Sequence, residues 1–472
     1  MNKKTLKKIV CAFLCIISML LSACGNDSEE EFVYVPEEKS DLRPVDSLYI
    51  DVEESGSYED NGTKEAVQSS YNSPDGLCTI LVYPDYFDVT LDYEKGSPRE
   101  VGKSYAKAIR QVYPEYEKIV EPYVYENIKA AFPGVKDDYF AIEDRLTVLF
   151  SSLPAEYQEE LEGFSHEFSG GQHGFVLDGK VSYEEILIMQ MVPDALRPTS
   201  CSALSLWGDK TVSGRMMTLR VLEWNLGSEN QMGKISAVTH MKNGDKSITA
   251  IGILGLIDII TAINDDGVFV GILDVGSLEE ETFVCEGKKC YTYAIRYALE
   301  NFDNATDVGN YMVENSGDFT WCHNLIISDK DNAYCAEDCV SEVSKKGQGY
   351  SVLRDANTPL HKELKWDNKD SLCVVNSFTS RNNQDTFTAV GSNLVRFNKY
   401  NTWVGAKDKF SPADVKNMIT CEQTKSDKVQ NVHGRGTVHI ALIDYSTHAI
   451  QVAFTGVDGV LDKPLFIDVG TY

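Results

Sequence analysis

Two prolines close together, Pro193 and Pro198, divide this chain into two stretches of different periodicity. Proline fixes its own φ and pushes the residue before it toward extended conformations, so helical structure is expected to stop here. The sequence therefore predicts that Arg197–Ser200 is an exposed connector, directly ahead of Cys201.

The stretch before these prolines is predicted to be mainly helical. Apolar residues recur at helical spacing between 98 and 163, beginning with Val101, Tyr105 and Ala108. Ser182, followed by Glu185 and an apolar run, has the form of a capping box and predicts a helix start. Residues 67–96 are the exception, because their composition is typical of β-strands.

Strand-like runs dominate after Cys201. Two of them, Val438–Asp444 and Ile450–Thr455, are joined by five residues and predict a hairpin. Helical stretches such as Tyr291–Phe302 lie between the strands. Strands interspersed with helices favour an α+β fold in which stacked sheets are flanked by helices.

The first residues have the form of an export signal. Four lysines, ending at Lys8, precede the apolar run Ile9–Leu21, and small residues lead to Cys24. This pattern is typical of a secretory signal, and the run is shorter than the about 20 residues of a membrane-spanning helix. Leu-Ser-Ala-Cys resembles the bacterial lipobox, which predicts a signal peptide at 1–23, lipidation of Cys24 and a protein anchored on the outer face of the bacterial cell membrane.

Residues 24–66 are predicted to be an acidic, disordered tether. Acidic residues cluster there with proline and serine, and such a segment cannot bury enough apolar surface to fold. The net charge of the whole chain is −28, and loss of the lysine-rich signal makes it more negative. This charge repels phosphate backbones and anionic lipid, so no nucleic-acid partner is expected and the membrane contact is expected to be the lipid.

The twelve cysteines suit an exported chain. Two leave with the signal, Cys24 is predicted to be lipidated and Cys201 is a candidate nucleophile. The other eight permit disulfides without revealing their connectivity: Cys78, Cys285, Cys290, Cys322, Cys335, Cys339, Cys373 and Cys421. No CxxC pair occurs, so a zinc site at these cysteines is not predicted. No other metal and no cofactor are predicted either.

Cys201 begins a predicted strand, and a second strand about twenty residues on carries Arg220 and Glu223. Side chains alternate along an extended strand, so Arg220 and Glu223 face opposite sides. A bend near Glu223 would be needed to aim both polar groups at one site.

Residues from about 97 to 470 resemble the isopenicillin-N acyltransferase family of N-terminal nucleophile hydrolases, a group that includes choloylglycine hydrolases and acid-ceramidase-like amidases. The resemblance rests on motifs in a shared order: Glu100–Tyr105 and Leu161–Ser165 before Cys201, then Cys201 itself, Arg220–Trp224, Ile263–Gly267, Cys322–Asp329, Val374–Phe378 and Ser392–Arg396. The chain departs from the family at Glu223, where the family usually has aspartate, so the reach of the carboxylate is one methylene longer.

The resemblance implies a four-layer α/β/β/α sandwich at 201–472, preceded by a mainly helical pro-region at 67–200. It also implies self-cleavage between Ser200 and Cys201. Cys201 would then act on a linear, non-peptide amide through an acyl-thioester, either as a hydrolase of carbon–nitrogen bonds or as an acyltransferase. Its substrate would be an N-acyl or aminoacyl amine.

The roles of the site residues follow from the same resemblance. The freed α-amine of Cys201, with an ordinary pKa of about 7.7–8.0, serves as a base without histidine. Arg220 favours the thiolate, and Glu223 holds the ammonium. Asn264 and Asn376 are expected to donate to an oxyanion, and Arg396 to brace the site.

Other interpretations remain open at this point. A non-catalytic lipoprotein on the same fold could bind a small ligand. A Cys-His thiol hydrolase would need His240, His323 or His439 as a base, although no Cys-His signature is present. Taken singly, Cys201 could be a buried apolar side chain or a disulfide-bonded cysteine, and Asn264 could be a turn residue. Apolar residues near the site could line an acyl pocket or simply pack in the core: Leu204, Trp207, Leu222 and Trp224.

Overall fold

The computed structural model describes residues 66–131, 140–172, 177–196, 200–275, 286–384, 391–420, 432–434, 436–459 and 464–472. Cys24, the predicted signal peptide and nearly all of the predicted tether lie outside the described residues. So do Arg197–Thr199 of the connector, together with Cys285 and Cys421.

The helices follow local sequence signals. The helices are α1 (Pro98–Val112), α2 (Tyr116–Ala131), α3 (Phe140–Ser152), α4 (Ala155–Ser165), α5 (Tyr183–Met189), α6 (Val192–Ala195), α7 (Gln231–Lys234), α8 (Tyr291–Asn301), α9 (Ala305–Asn315), α10 (Ser341–Lys345), α11 (Gly391–Gly405) and α12 (Pro412–Thr420). The capping box predicted at Ser182 is confirmed, because its hydroxyl accepts from the backbone N–H of Glu185 at the start of α5.

The strands form two sheets. The strands are β1 (Ser69–Asn72), β2 (Cys78–Val82), β3 (Phe87–Asp92), β4 (Ser200–Leu206), β5 (Met217–Glu223), β6 (Ser236–Lys242), β7 (Ile248–Ile253), β8 (Thr261–Asn264), β9 (Phe269–Asp274), β10 (His323–Ser328), β11 (Ala333–Asp338), β12 (Val352–Arg354), β13 (Ser371–Val375), β14 (Thr437–Asp444), β15 (Ala449–Phe454) and β16 (Ile467–Thr471). The predicted hairpin is confirmed as β14 and β15.

Within the described residues, the larger sheet has ten strands in the order β1-β2-β3-β6-β7-β8-β9-β10-β11-β12. The smaller sheet has six, in the order β13-β4-β5-β14-β15-β16. Strand β3 pairs with β6 in parallel, so three strands from before Cys201 complete one edge of a sheet whose other strands follow it. These three strands lie within residues 67–96, where the composition predicted β-strands, so the chain before Cys201 contributes strands as well as helices to the main fold.

The two faces of the smaller sheet meet different partners. On β4, Leu204 and Leu206 pack with Phe397 of α11 in one apolar cluster. The alternate residues face the larger sheet, where Ser205 contacts the hydroxyl of Thr218, which in turn contacts the hydroxyl of Ser328 in β10. The structure is thus a mixture of helices and sheets in which the smaller sheet lies between helices and the larger sheet.

Helices also contact the larger sheet, with α9 against β11 and α1 against β2. Within the described part of the chain, no helix has both the length and the apolar composition needed to span a membrane. Five described cysteines carry free, buried thiols: Cys78, Cys290, Cys335, Cys339 and Cys373.

Candidate active site

Cys201 lies at the second position of β4, with no solvent exposure. Its register partner in β5 is Leu222, two residues beyond Arg220. The Cys201 side chain faces the larger sheet, since Cys201 and Ala203 belong to the core cluster on that side. Its Sγ lies 3.7 Å from Nη2 of Arg220, so the structure brings together the predicted nucleophile and the predicted cation.

Arg220 is a buried cation with few partners. Its Nη2 donates to the backbone carbonyl of Ile272 at 2.8 Å, and its Nε has no hydrogen-bond partner. Among the described residues no carboxylate pairs with Arg220, and the one ionisable group that raises its pKa is Cys201. Burial lowers the pKa of Arg220 to about 10, so the side chain is still a cation at neutral pH.

Space for Arg220 comes from a glycine in the facing sheet. A Cβ added to Gly271 would lie 2.9 Å from both Cγ and Nε of Arg220. Any side chain at position 271 would push the guanidinium away from Cys201 or strain the sheets.

Arg396 of α11 approaches Cys201 from the opposite face of the smaller sheet, and both of its terminal nitrogens have acceptors, although its Nε, like that of Arg220, has no hydrogen-bond partner. Nη1 donates to the carbonyl oxygen of Cys201 at 2.7 Å and lies 3.3 Å from Oε2 of Glu223. Nη2 donates to Oδ1 of Asn376 at 2.9 Å and to Oδ1 of Asn393 at 2.5 Å. These planar, multi-donor contacts join Arg396 to the backbone of Cys201, and its bracing role in the reaction stays a prediction.

Asn376 follows β13 and contacts the backbone of Cys201. Its Oδ1 accepts from the backbone N–H of Cys201 at 2.5 Å, and this nitrogen belongs to the predicted scissile bond. Its Nδ2 donates to the carbonyl of Asp274 at 2.7 Å. Asn376 therefore acts here as an acceptor for the Cys201 nitrogen, which differs from the oxyanion donor expected from the sequence.

Glu223 and Arg220 stay on opposite faces of β5, as strand alternation requires. Glu223 reaches the Arg396 side, whereas Arg220 contacts the larger sheet. The irregularity in this region lies in the neighbouring strand β14, between Thr437 and His439, rather than in a bend of β5. The two groups flank Cys201 from two sides, and the contact between Glu223 and the α-amine stays a prediction.

The structure does not bring Asn264 into this cluster. Its Nδ2 donates to the carbonyls of Leu299 and Phe302, at the end of α8, and its Oδ1 accepts from the N–H of Val268. These contacts hold the turn between β8 and β9 against a helix end that needs donors. The expected oxyanion role of Asn264 is therefore corrected to a turn and helix-end role.

The three histidines considered as bases have other contacts. His323 lies 3.1 Å from Asp338, and His240 contacts Thr249. Nε2 of His439 lies 3.4 Å from Nη1 of Arg220 and 3.1 Å from Oγ1 of Thr261. Burial and then Arg220 lower the pKa of His439 well below 6.5, so this imidazole is neutral at pH 7.

Two residues of the site were given no role from the sequence, although Asn393 lies within the motif Ser392–Arg396. Asn393 contacts Arg396 and also donates to the carbonyl oxygen of Asn376 at 2.9 Å. Its position three residues before Arg396 on one helix is the signal that could have revealed it. Gly271 offered no local signal, because its role depends on the facing sheet.

An apolar pocket lies beside the site. Leu222 and Trp224, both considered for an acyl pocket, line it together with Met189 and Val192 from the helices before Cys201. Leu204 instead packs in the core under the helices. Trp207 lines a separate, more polar cavity at the far end of β4.

No protein-family model matches this chain, and no curated protein matches it. Solved structures do align with it. A Caenorhabditis elegans N-acylethanolamine-hydrolyzing acid amidase ortholog is 12% identical, with 52% of this chain and 92% of that chain covered and a TM-score of 0.36. A mutant of conjugated bile acid hydrolase from Clostridium perfringens is 12% identical, covering 58% of this chain and 97% of that chain at a TM-score of 0.33.

Penicillin V acylase from Agrobacterium tumefaciens is 13% identical, with 54% of this chain and 83% of that chain covered and a TM-score of 0.31. All three proteins are named as enzymes that hydrolyse or deacylate their substrates. The similarity is distant, and the geometry around Cys201 is the firmer guide to function.

Proposed function

We propose that this chain is a self-processing cysteine amidohydrolase or acyltransferase that cleaves a linear, non-peptide amide through an acyl-thioester on Cys201. The observation that carries the proposal is the pairing of Cys201 with Arg220. A thiol beside a buried guanidinium without a described carboxylate partner is the arrangement expected for a reactive thiolate.

The electrostatics of Arg220 favour an anion at this position. Burying a cation costs several kcal/mol unless an opposite charge compensates it. A thiolate on Cys201, or an oxyanion formed when Sγ adds to a carbonyl carbon, would provide that charge. The site would therefore stabilise charge that develops during the reaction.

Self-cleavage would begin at the Ser200–Cys201 bond. Sγ of Cys201 adds to the carbonyl carbon of Ser200, the C–N bond breaks, and the Cys201 nitrogen takes up the thiol proton. Water then hydrolyses the thioester, which leaves a carboxylate on Ser200 and a free amine on Cys201. Asn376 and Arg396 would hold the leaving nitrogen and the following carbonyl during this step, as they do in the uncleaved chain.

The same groups would act on the substrate. The Cys201 amine would accept the thiol proton and pass it to the leaving amine, and water or a second amine would resolve the acyl-thioester. Arg396 would keep Glu223 near the amine, and no cofactor takes part. The substrate would be an N-acyl or aminoacyl amine; the apolar cavity beside Leu222 and Trp224 has a volume of about 20 Å³, so the surrounding side chains would have to move for it to take an acyl group.

The arrangement of layers fits this function. We propose that the two facing sheets and their flanking helices form a four-layer N-terminal-nucleophile sandwich at 201–472, preceded by the pro-region at 67–200. Support comes from β4, whose first residues would become the new N-terminus between the two sheets. After cleavage, the amine would lie next to its own thiol.

Anchoring through Cys24 is a separate part of the proposal and rests on the lipobox-like sequence. The lipid would hold the enzyme on the outer face of the bacterial membrane, with 24–66 as a tether and no nucleic-acid partner. Cys24→Ala should release the protein into the medium on cell fractionation. A mutant that still sediments with membranes would exclude this anchor.

Intact mass spectrometry of the purified full chain tests the processing. Wild-type protein should appear as two fragments divided between Ser200 and Cys201, and Cys201→Ala as one chain.

Processed protein is then offered N-acyl amines, N-acyl amino acids, conjugated bile acids and penicillins. Release of free amine that is absent from Cys201→Ala supports the proposal; an uncut wild-type chain without turnover contradicts it. Tight binding of one compound without turnover would instead favour the ligand-binding lipoprotein.

A further inference from the structure

Asn324 links the two sheets near Cys201 and has no role in the function proposed above. It lies in β10 of the larger sheet and is 1% exposed. Its Nδ2 donates across the sheets to the carbonyls of Val375 at 2.9 Å and Ser377 at 3.0 Å. These carbonyls belong to the residues before and after Asn376, so one amide group holds the chain on both sides of this residue.

The turn held by Asn324 is the one that aims Asn376 at Cys201. Ser377 N–H donates back to the carbonyl of Val375 at 2.8 Å, which closes a tight turn around Asn376. From this turn the side chain of Asn376 reaches the nitrogen of Cys201 and the carbonyl of Asp274. A small rotation of the turn would carry Oδ1 away from Cys201.

The neighbouring strand continues the same support. Glu337 of β11 is the register partner of Asn324 and is fully buried. Its carboxylate accepts from the N–H groups of Thr379 at 2.7 Å and Ser380 at 3.1 Å. The larger sheet therefore holds the chain after β13 at successive points, and Asn324 is the point that lies next to Asn376.

We propose that Asn324 is a positioning residue that, by shaping the turn around Asn376, fixes the orientation of the Cys201 nitrogen. This proposal rests on the proposed function for its catalytic consequence. The positioning itself concerns an amide of the uncleaved chain and is measurable whether or not the protein turns over a substrate.

Hydrogen exchange, resolved to single amides by mass spectrometry, tests the positioning in the full chain carrying Cys201→Ala, which cannot cleave itself. Adding Asn324→Leu removes both donated hydrogen bonds and fills nearly the same space with an apolar side chain. The amide of residue 201 should then exchange at least about 10-fold faster, because Asn376 no longer holds it. The amides of Ala203 and Leu204 should keep their protection.

Ser328→Ala is the matched control, since it lies on the same strand and also removes cross-sheet contacts, to Thr218 and Tyr445. It should leave exchange at residue 201 unchanged. If Asn324→Leu does not fold, Asn324→Ser, which keeps a short donor, replaces it. Unchanged protection at residue 201, or equal loss throughout β4, would overturn the proposal.

The catalytic consequence is measured in the chain with native Cys201. Asn324→Leu should slow self-cleavage and lower kcat by about 10- to 100-fold, while KM changes less than about twofold, because the substrate pocket is untouched. A wild-type chain that neither cleaves nor turns over would remove the proposed function and leave the exchange result to stand by itself. Faster exchange at residue 201 with unchanged kcat and self-cleavage would show that the orientation is not used, and would overturn the catalytic part.

Discussion

Two buried arginines flank Cys201 from opposite faces of the smaller sheet, and their surroundings differ sharply. Arg396 contacts the Cys201 carbonyl, Asn376, Asn393 and Glu223. Arg220 donates to one backbone carbonyl and otherwise lies near the Cys201 thiol and a neutral histidine. One guanidinium completes a network, whereas the other lacks a described counter-charge.

This difference distinguishes a structural role for Arg396 from a catalytic role for Arg220. Arg396, with four acceptors that include a carboxylate, contributes to structure, and its removal leaves these acceptors without a donor. Arg220, which has no described carboxylate partner, destabilises the fold, because burial lowers its pKa to about 10 and so disfavours the cation. This cost applies at every pH below about 10 and is relieved only as the pH rises above that value.

The largest expected effect is on Arg220. Arg220→Met should lower self-cleavage and kcat/KM by about 10²–10³-fold, because the charge beside the thiol is lost. The free energy of unfolding in urea should stay the same or rise by about 1–3 kcal/mol, since a buried unpaired charge is removed.

Arg220→Lys is the matched control for charge and should keep part of the activity. A loss of stability in Arg220→Met, with activity retained, would reverse the comparison and make Arg220 a structural residue.

For Arg396 the main expected effect is on the free energy of unfolding, in contrast to Arg220. Arg396→Met should lower the free energy of unfolding by about 3–5 kcal/mol, because Glu223 and the oxygens of Cys201 and Asn376 lose their donor. Urea unfolding with a double-mutant cycle against Glu223→Gln measures how much of this loss comes from the ion pair between Arg396 and Glu223.

Glu223→Gln alone should keep the fold and lose self-cleavage or turnover; retention of both would reduce Glu223 to a scaffold residue.

Gly271 tests the space around Arg220. Gly271→Ala should lower stability by about 1–3 kcal/mol and turnover by about 10-fold, because the new Cβ meets Arg220 at 2.9 Å. Gly317→Ala, where the nearest atom would be 3.7 Å away, is the control. Thermal unfolding and kcat/KM that match between the two variants would show that the close approach of Gly271 does not determine the position of Arg220.

The smallest effect is expected at His439. The pKa of this imidazole is lowered by burial and by Arg220, so the unfolded chain binds its proton more readily than the folded chain. The protein therefore loses stability as the pH falls below 6.5, and His439→Gln should lose less over the same range. Turnover between pH 6 and 8 should keep its pH profile, whereas loss of a limb near pH 6.5 would make His439 the base.

The sequence predicted the elements of this fold well where the signals are local. The capping box at Ser182, the strand beginning near Cys201 and the hairpin at 438–455 all depend on neighbours a few residues away. The opposite facing of Arg220 and Glu223 also followed from the period of a strand. These features need no knowledge of the rest of the chain.

Contacts between distant segments were decided by the tertiary structure. The sequence grouped Asn264 with Asn376 as donors, yet one holds a helix end and the other accepts from Cys201. An asparagine side chain offers the same donors and acceptor in either place, so only its partners in space set its role. The same holds for Gly271 and Asn324, which act through a sheet that faces Cys201 from the other side of the core.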